Sequence, residues 1–439
     1  MEKPRQIAFR ILQRHAQGTE FVEDVLADEL SRSPLPSNDR GLAHELSCGV
    51  VRCQRTLDWL IDQQTDGRPQ QPIVRQLLRL GLYQLLWLDR IPAHAAVHET
   101  VELAKHLGLG PVAGFINAFL RKVTRDLPTF RTRLETLEQS DPGIRFSHPD
   151  WLCRRWDLRW GREKLVQLLK WNNQAPPLFA RLNSLRMDRG TLEGLWQKEG
   201  VRFVHREFPW APKADVYELT EHPALTSLKS FNDGGFYIQD PSTLMSVSHL
   251  DPQPGETVLD LCAAPGGKTV FIAQLMKNQG RIIAQDTHRA RMELIKQNCS
   301  RLGVTCVQVS GSTTVTHPEL SLQFDRVLVD APCSNTGVMR RRVDLRWRVS
   351  SEEINRLQEV QVGLLDDAAA QVKPGGVLVY STCSLEPEEN ESVIRKFLAL
   401  HNEFRTVQDT HLQPFENGVD GAYVAVLRKR NAPVNQNQG

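Results

Sequence analysis

Apolar residues in the first third of the chain recur three and four positions apart. FVEDVLADEL (21–30), NDRGLAHELSCGVVRCQRTLDWLID (38–62), IVRQLLRLGLYQLLWL (73–88) and HAAVHETVELAKHL (94–107) all carry this spacing, which gathers the apolar side chains on one face of a helix. Turn-rich stretches, SPLPS, DGRPQQP and GLGP, separate them. The pattern predicts an all-α bundle over residues 1–135.

The texture then changes twice. Residues 145–235 hold the aromatic and basic HPDWLCRRWDLRWGREK, followed by the short strand-like runs APPLFARLNSL, VRFVHREF and DVYELT. These predict a small α/β connecting module. FNDGGFYIQDPST reads as a turn, a short strand and a helix cap. Over residues 236–431 strand-like runs (TVLDLCAA, GRIIAQD, CVQVS, DRVLVDAP, GGVLVYSTC) alternate with helical ones such as KTVFIAQLMK and RARMELIKQNCSRLG. Buried parallel strands joined by crossover helices predict a doubly wound, Rossmann-like α/β sheet. EFRTVQD and AYVAVLRKR suit an antiparallel addition at its edge, and residues 432–439 read as a disordered tail.

Composition narrows the class. At 439 residues the chain exceeds one ordinary core, and 40% hydrophobic with 24% charged residues suits a globular multidomain protein. A net charge of +2 excludes a global basic field, so any nucleic-acid surface must come from local clusters. No apolar run is long enough to cross a bilayer, and eight scattered cysteines without a CxxC pair favour free thiols in a reducing compartment. A cytoplasmic monomer without membrane or metal is the expectation. His94 and His98 stand one helical turn apart but lack HExxH order and a third ligand nearby, so helix packing explains them better than a metal.

Candidate chemistry lies where strands end. DLCAAPGGKT occupies the first strand-to-helix turn of the doubly wound region, where such sheets bind ligands. Small residues there let a ligand approach the backbone, making Cys262, Ala263, Ala264, Pro265, Gly266, Gly267 and Lys268 the candidate cradle, with Asp260 at its start. Asp286 ends the next strand, about 20 residues beyond the glycines, where an acid commonly holds a ribose diol. The turn is neither GxGxxG nor a P-loop. S-adenosylmethionine and NAD both remain open, the absent GxGxxG leaning toward the methyl donor.

Cys333, in DAPCSNTG, and Cys383, in STCSLEPEEN, each follow a predicted central strand. A single buried cysteine is ordinarily inert packing. Two at neighbouring strand ends beside Asp330 match a specific chemical need. Carbon 5 of cytosine is a poor nucleophile until a thiolate adds at carbon 6. One thiol to attack, a second group to assist release and an acid to steady the ring at nitrogen 3 form the required set.

QDPSTLMS, VLDLCAAPGGKT, DAPCSNTG with VMRRRVDLRW behind it, and VYSTCSLEPEENE together resemble the RNA cytosine-5 methyltransferases, the Nol1/Nop2/Sun family. The resemblance implies Cys383 as nucleophile, Cys333 as the residue helping release, Asp330 at the base, and Cys262 to Lys268 with Asp286 and Asp330 around S-adenosylmethionine. NDRGLAHELSCGVVRCQRTLDWLI, LGLYQLLWLDRIPAHAAVHETVELAK and GFINAFLRK resemble the NusB-like RNA-binding domain of the family's ribosomal members. HPDWLCRRW and NNQAPPLFARLN resemble their connecting module. This implies methylation of carbon 5 of a cytosine in bacterial 16S rRNA, free or in an early small-subunit particle. A tRNA substrate and a non-catalytic RNA-binding assembly factor are the alternatives. Two departures stand out. SGSTT replaces the acid that family members carry after the third strand, leaving Ser312 to meet the adenine. Asn335 replaces the usual small residue between Ser334 and Thr336, with only local adjustment expected.

MRRRVDLRWRV gathers Arg340, Arg341, Arg342 and Arg346 around Trp347, next to the Cys333 loop. Guanidinium groups pair with phosphates and an indole stacks on a base, so these are the candidate RNA contacts. CRRWDLRWGR is a weaker candidate for the same use. Glu386, Glu388 and Glu389 suit the dipole of a following helix and receive no chemistry here.

Overall fold

In the computed structural model, residues 3–311 and 323–431 are described; Ser312 and the tail 432–439 lie outside them. The chain divides into two units, Met1–Ala175 with Met339–Arg348, and Pro176–Val338 with Val349–Gly439.

The first unit is all helical, from Pro4–Gln17 through Leu127–Ser140 and on to Asp150–Trp160 and Arg162–Trp171. Its central helix is Pro72–Trp87, opened by a proline in the first turn where the missing N–H is not needed. Leu77, Leu78, Leu80 and Leu82 within it are fully buried, while Arg75 and Arg79, one turn apart, share one face and pair with Asp58. Gly49 lets a neighbouring helix close on it: a Cβ there would stand 2.0 Å from the Tyr83 ring. The aromatic and basic HPDWLCRRWDLRWGREK stretch folds here as two helices rather than with the strands that follow it. Leu152 and Trp156 on one and Leu165 and Leu168 on the other leave no exposed surface.

Met339–Arg348 also belongs to this unit. Arg346 is fully buried. Its guanidinium donates to the carbonyls of Arg52 (3.4 Å), Ser147 (3.2 Å) and Asn172 (3.1 Å), and to Oδ1 of Asn173 (2.8 Å). Trp347 Nε1 donates to the Val51 carbonyl at 2.8 Å. Asp344, also buried, accepts from the Val22 amide and from Arg348 Nε.

The second unit holds two sheets. The smaller is antiparallel, in order β2-β3-β1-β4, with β1 Leu178–Leu182, β2 Arg202–Arg206, β3 Val216–Glu221 and β4 Phe236–Ile238. The sequence boundary at 235 thus falls just short of its last strand. Trp196, Tyr217 and Phe236 pack edge to face in its core, an arrangement aromatic rings prefer. The larger sheet has seven strands: β5 Thr257–Leu261, β6 Arg281–Gln285, β7 Val307–Ser310, β8 Phe324–Asp330, β9 Val372–Thr382, β10 Phe404–Leu412 and β11 Ala422–Lys429. Their order is β10-β11-β9-β8-β5-β6-β7. β7, β6, β5, β8 and β9 pair in parallel, while β11 and β10 add antiparallel at the edge.

Both faces of the parallel sheet are covered, which is why its strands read as nearly continuous apolar runs. Val258 of β5 packs with Val270 and Ile272 of the helix Gly267–Leu275; Leu259 packs the other way, with Leu365 and Ala368 of Ser351–Gln371. The smaller sheet is fixed to this framework by two buried polar side chains. Arg181 of β1 donates to Gln239 at 3.1 Å and lies over the Phe271 ring, and Asn183 donates to the Leu302 carbonyl at 2.8 Å. Among the described residues no helix is long and apolar enough to cross a membrane.

Candidate active site

The chain runs from β5 outward to β7, then returns to the other side of β5 with β8 and β9. This reversal puts the ends of β5 and β8 side by side at the switch point, the place where open α/β sheets bind ligands. The cradle turn leaves β5 and the Cys333 loop leaves β8.

Cys262 takes a left-handed φ of 60°, and Gly266 reaches +100° at the head of the helix Gly267–Leu275. Asp286, buried just past β6, ties this turn to the following helix: one carboxylate oxygen accepts from the Ala264 amide (3.3 Å), the other from the His288 amide (3.1 Å). Asp260 is fully buried, with one oxygen accepting from Thr269 Oγ1 at 2.6 Å and the other without a partner among the described residues. Burial pushes its carboxyl up to about 7 against that hydrogen bond, with the negative charges of Asp330 and Asp286 adding to the rise. Burial likewise pushes the Cys262 thiol up to about 12, so it remains protonated.

Three carboxyl groups and an orphaned buried oxygen around a glycine turn fit a cationic ligand and oppose an anionic one. S-adenosylmethionine carries a sulfonium and an ammonium, whereas NAD brings a pyrophosphate. The residues present therefore fit the methyl donor.

The register Asp330↔Ser381 between β8 and β9 brings the two cysteine loops together. Ser381 Oγ donates to Asp330 Oδ1 at 2.8 Å, and Asp330 Oδ2 receives Lys268 Nζ at 2.7 Å. Lys268, expected only in the cofactor turn, is thus also the cation of the cysteine site. Burial favours its neutral form, but Asp330, by its charge and then by its hydrogen bond, outweighs this and raises the ammonium's hold on its proton. The sulfurs of Cys333 and Cys383 stand 3.4 Å apart. Cys383 Sγ donates to Asn335 Oδ1 at 2.9 Å, while Asn335 Nδ2 donates to the Cys333 carbonyl at 2.7 Å. Asn335 makes this bridge from a left-handed φ of 58°, which asparagine tolerates better than most residues. The hydrogen bond to Cys383 and then burial raise the Cys333 thiol well above the ordinary cysteine range. Gly337 donates its amide to the Cys383 carbonyl at 2.9 Å; a Cβ there would lie 2.7 Å from that oxygen.

Glu389 reads in the sequence as a helix-dipole residue, and the fold gives it another place. It is fully buried behind the cysteine loops, and Ser334 and Ser384 both hydrogen-bond its carboxylate. The only hint along the chain is that each cysteine is followed by serine.

The basic segment folds into the helical unit. Arg346 is enclosed by backbone carbonyls and presents no side-chain surface, while Trp347 is partly buried against the helical core. Arg340 is 2% exposed and stacks on Trp171. A guanidinium next to indoles and carbonyl-rich helix ends satisfies itself inside the protein. Arg341 is half-buried and Arg342 exposed.

With this geometry in hand, known proteins place the chain. Residues 247–438 match the family model described as 16S rRNA methyltransferase RsmB/F, residues 2–125 the NusB family, and residues 148–214 the ferredoxin-like domain of RsmF/B-like methyltransferases. A probable ribosomal RNA small subunit methyltransferase B from Synechocystis is 38% identical over 95% of this chain and 92% of its own length. One of the same name from Bacillus subtilis is 34% identical over 97% of this chain and 98% of its own. The solved structure of a methyltransferase homolog from Pyrococcus horikoshii, 34% identical, covers 66% of this chain and 98% of its own with a TM-score of 0.58. The chain belongs to the ribosomal RNA small subunit methyltransferase B family, S-adenosylmethionine-dependent enzymes in which a NusB-like helical domain and a ferredoxin-like module precede the methyltransferase sheet.

Proposed function

We propose that this enzyme methylates carbon 5 of a cytosine in bacterial 16S rRNA through a covalent bond from Cys383 to carbon 6. The observation that carries the reading is the 3.4 Å separation of the Cys333 and Cys383 sulfurs beside the Lys268–Asp330 ion pair. The Lys268 ammonium interacts electrostatically with Cys383, the sulfur that attacks. As the Cys383 thiolate adds to carbon 6, negative charge develops at ring nitrogen 3, where Asp330 holds the Lys268 ammonium that offsets it. S-adenosylmethionine supplies the methyl group taken by carbon 5, held by the 262–268 turn with Asp260, Asp286 and Asp330. A solvent base then takes the carbon-5 proton, and the electron pair it leaves re-forms the ring double bond. The carbon 6–sulfur pair returns to Cys383, and Cys333, held as a thiol, donates a hydrogen bond to the departing sulfur. Only an unpaired or flipped-out cytosine exposes carbon 6. Arg341 and Arg342, next in sequence to the Cys333 loop, are the remaining candidates to meet phosphate. The enzyme acts as a cytoplasmic monomer, on free 16S rRNA or an early small-subunit particle.

The test is transfer of labelled methyl groups to 16S rRNA lacking its own modifications, with tRNA as competitor. Wild-type protein labels 16S rRNA, and Cys383→Ala abolishes transfer. Full activity of Cys383→Ala, or labelling of tRNA alone, contradicts the reading.

A further inference from the structure

Cys333 and Cys383 lie fifty residues apart in the chain, yet each is followed by a serine, and both serines turn inward to the same carboxylate. Ser334 donates its amide to Glu389 Oε1 at 2.8 Å and its hydroxyl to Oε2; Ser384 donates its hydroxyl to the same Oε2. Gln361 Nε2 donates to Oε1 at 3.1 Å and to the Pro332 carbonyl at 2.9 Å. The two serine oxygens are 3.1 Å apart. Four donors converge on a fully buried Glu389, and four is what an ionised carboxylate accepts. The backbone around it is equally fixed: Tyr380 donates its hydroxyl to the Glu389 carbonyl at 2.6 Å, and Asn390 donates to the Ser384 carbonyl at 2.9 Å.

We infer that Glu389 is a positioning residue for the methyl-transfer reaction, a single carboxylate that clamps the Cys333 and Cys383 loops at the sulfur separation needed for release. This rests on the cysteine roles proposed above. Glu389 touches neither sulfur; it acts through Ser334 on one loop and Ser384 on the other. Without the clamp, Cys383 retains Lys268 and still attacks, but Cys333 no longer stays beside the sulfur that must leave. Burial of the carboxyl also raises its affinity for a proton, opposed by the serine hydrogen bonds. Its acceptor role therefore depends on the full set of donors.

The test compares Glu389→Gln, Ser334→Ala and Ser384→Ala in the full chain, with Cys383→Ala and Cys333→Ala alongside. A glutamine keeps the shape but offers one acceptor oxygen in place of two. Three quantities are read: cofactor affinity, the kcat and KM for undermodified 16S rRNA, and covalent protein–RNA adduct on denaturing gels. For Glu389→Gln we expect kcat to fall roughly 10- to 100-fold, the scale of lost hydrogen bonds to a charged acceptor. Cofactor affinity should stay within about twofold, while KM falls with kcat because breakdown of the adduct becomes the slow step. Adduct should accumulate, as in Cys333→Ala. Ser334→Ala should do the same by freeing only the Cys333 loop, and carries the test if Glu389→Gln does not fold. Ser384→Ala, which frees only the Cys383 loop, should likewise lower kcat and let adduct accumulate.

Wild-type turnover without adduct in both Glu389→Gln and Ser334→Ala overturns the clamp. So does a kcat loss that merely tracks lost cofactor binding, the mark of a purely structural role. Adduct or methyl transfer persisting in Cys383→Ala would instead overturn the cysteine assignment, leaving the two failures distinguishable.

Discussion

Asp260 has the most pH-sensitive carboxyl in the cofactor turn. Burial lifts it to about 7, far above the ordinary carboxylate value of about 3.9. The sign follows from linkage. A carboxyl raised on folding lends its stabilisation when protonated, fully below the ordinary value, and loses it as pH rises through about 7. The chain without cofactor should therefore melt at a lower temperature at about pH 8 than at about pH 5, and Asp260→Asn should reduce that difference. A cationic cofactor reverses the preference, because it favours the ionised form. Affinity for S-adenosylmethionine should rise with pH through this range in the wild type and stay flatter in Asp260→Asn, as titration calorimetry would record. Asn335 allows a second check. Its Oδ1 accepts from the Cys383 thiol, a bond that must break before the sulfur is alkylated. Asn335→Ala should speed iodoacetamide labelling of Cys383 at neutral pH by roughly fivefold, the worth of about 1 kcal/mol. Unchanged labelling would show that this hydrogen bond does not restrain the thiol.

Met339–Arg348 is the element whose sequence and structure diverge most. Its arginines suggest an RNA surface, but Arg346 spends its donors on the Arg52, Ser147 and Asn172 carbonyls and Asn173. Replacing Arg346 with Met should strand these acceptors and cost about 3 kcal/mol or more of stability, seen in a denaturant melt of the full chain. RNA affinity measured on the folded fraction should hardly change; a selective loss of RNA binding would restore the phosphate-binding reading. Regular elements were legible because periodicity reports burial directly: the β5 to β9 runs are apolar since helices cover both sheet faces. The cysteine pair was legible because each thiol sits at a strand end, and parallel strands bring such ends together. What periodicity does not carry is the destination of an isolated charge. Arg346 is enclosed by partners remote in sequence and Glu389 largely so, through Ser334 and Gln361, so composition makes each look like a surface residue. The HPDWLCRRWDLRWGREK helices illustrate the same limit for domain boundaries. Their apolar residues fix that they are helices, not which core they join.

A net charge of +2 gives the whole molecule little long-range attraction for RNA. Binding must rest on local clusters, of which Arg341 and Arg342 are the candidates next to the Cys333 loop in sequence. Replacing both with Ala should weaken 16S rRNA binding and reduce the slope of log affinity against log salt by roughly 0.7 for each phosphate left without its arginine. An unchanged slope would remove them from the interface. The proposed reaction turns on a bond from Cys383 to the base. Its most direct measurement is mass-spectrometric mapping of the protein–RNA adduct trapped by Cys333→Ala in the presence of S-adenosylmethionine and undermodified 16S rRNA. The account predicts a single cross-linked peptide, bearing one methylated cytosine on Cys383, that disappears when Cys383→Ala is added. A nucleotide attached at any other residue, or an adduct that survives that second substitution, would contradict it.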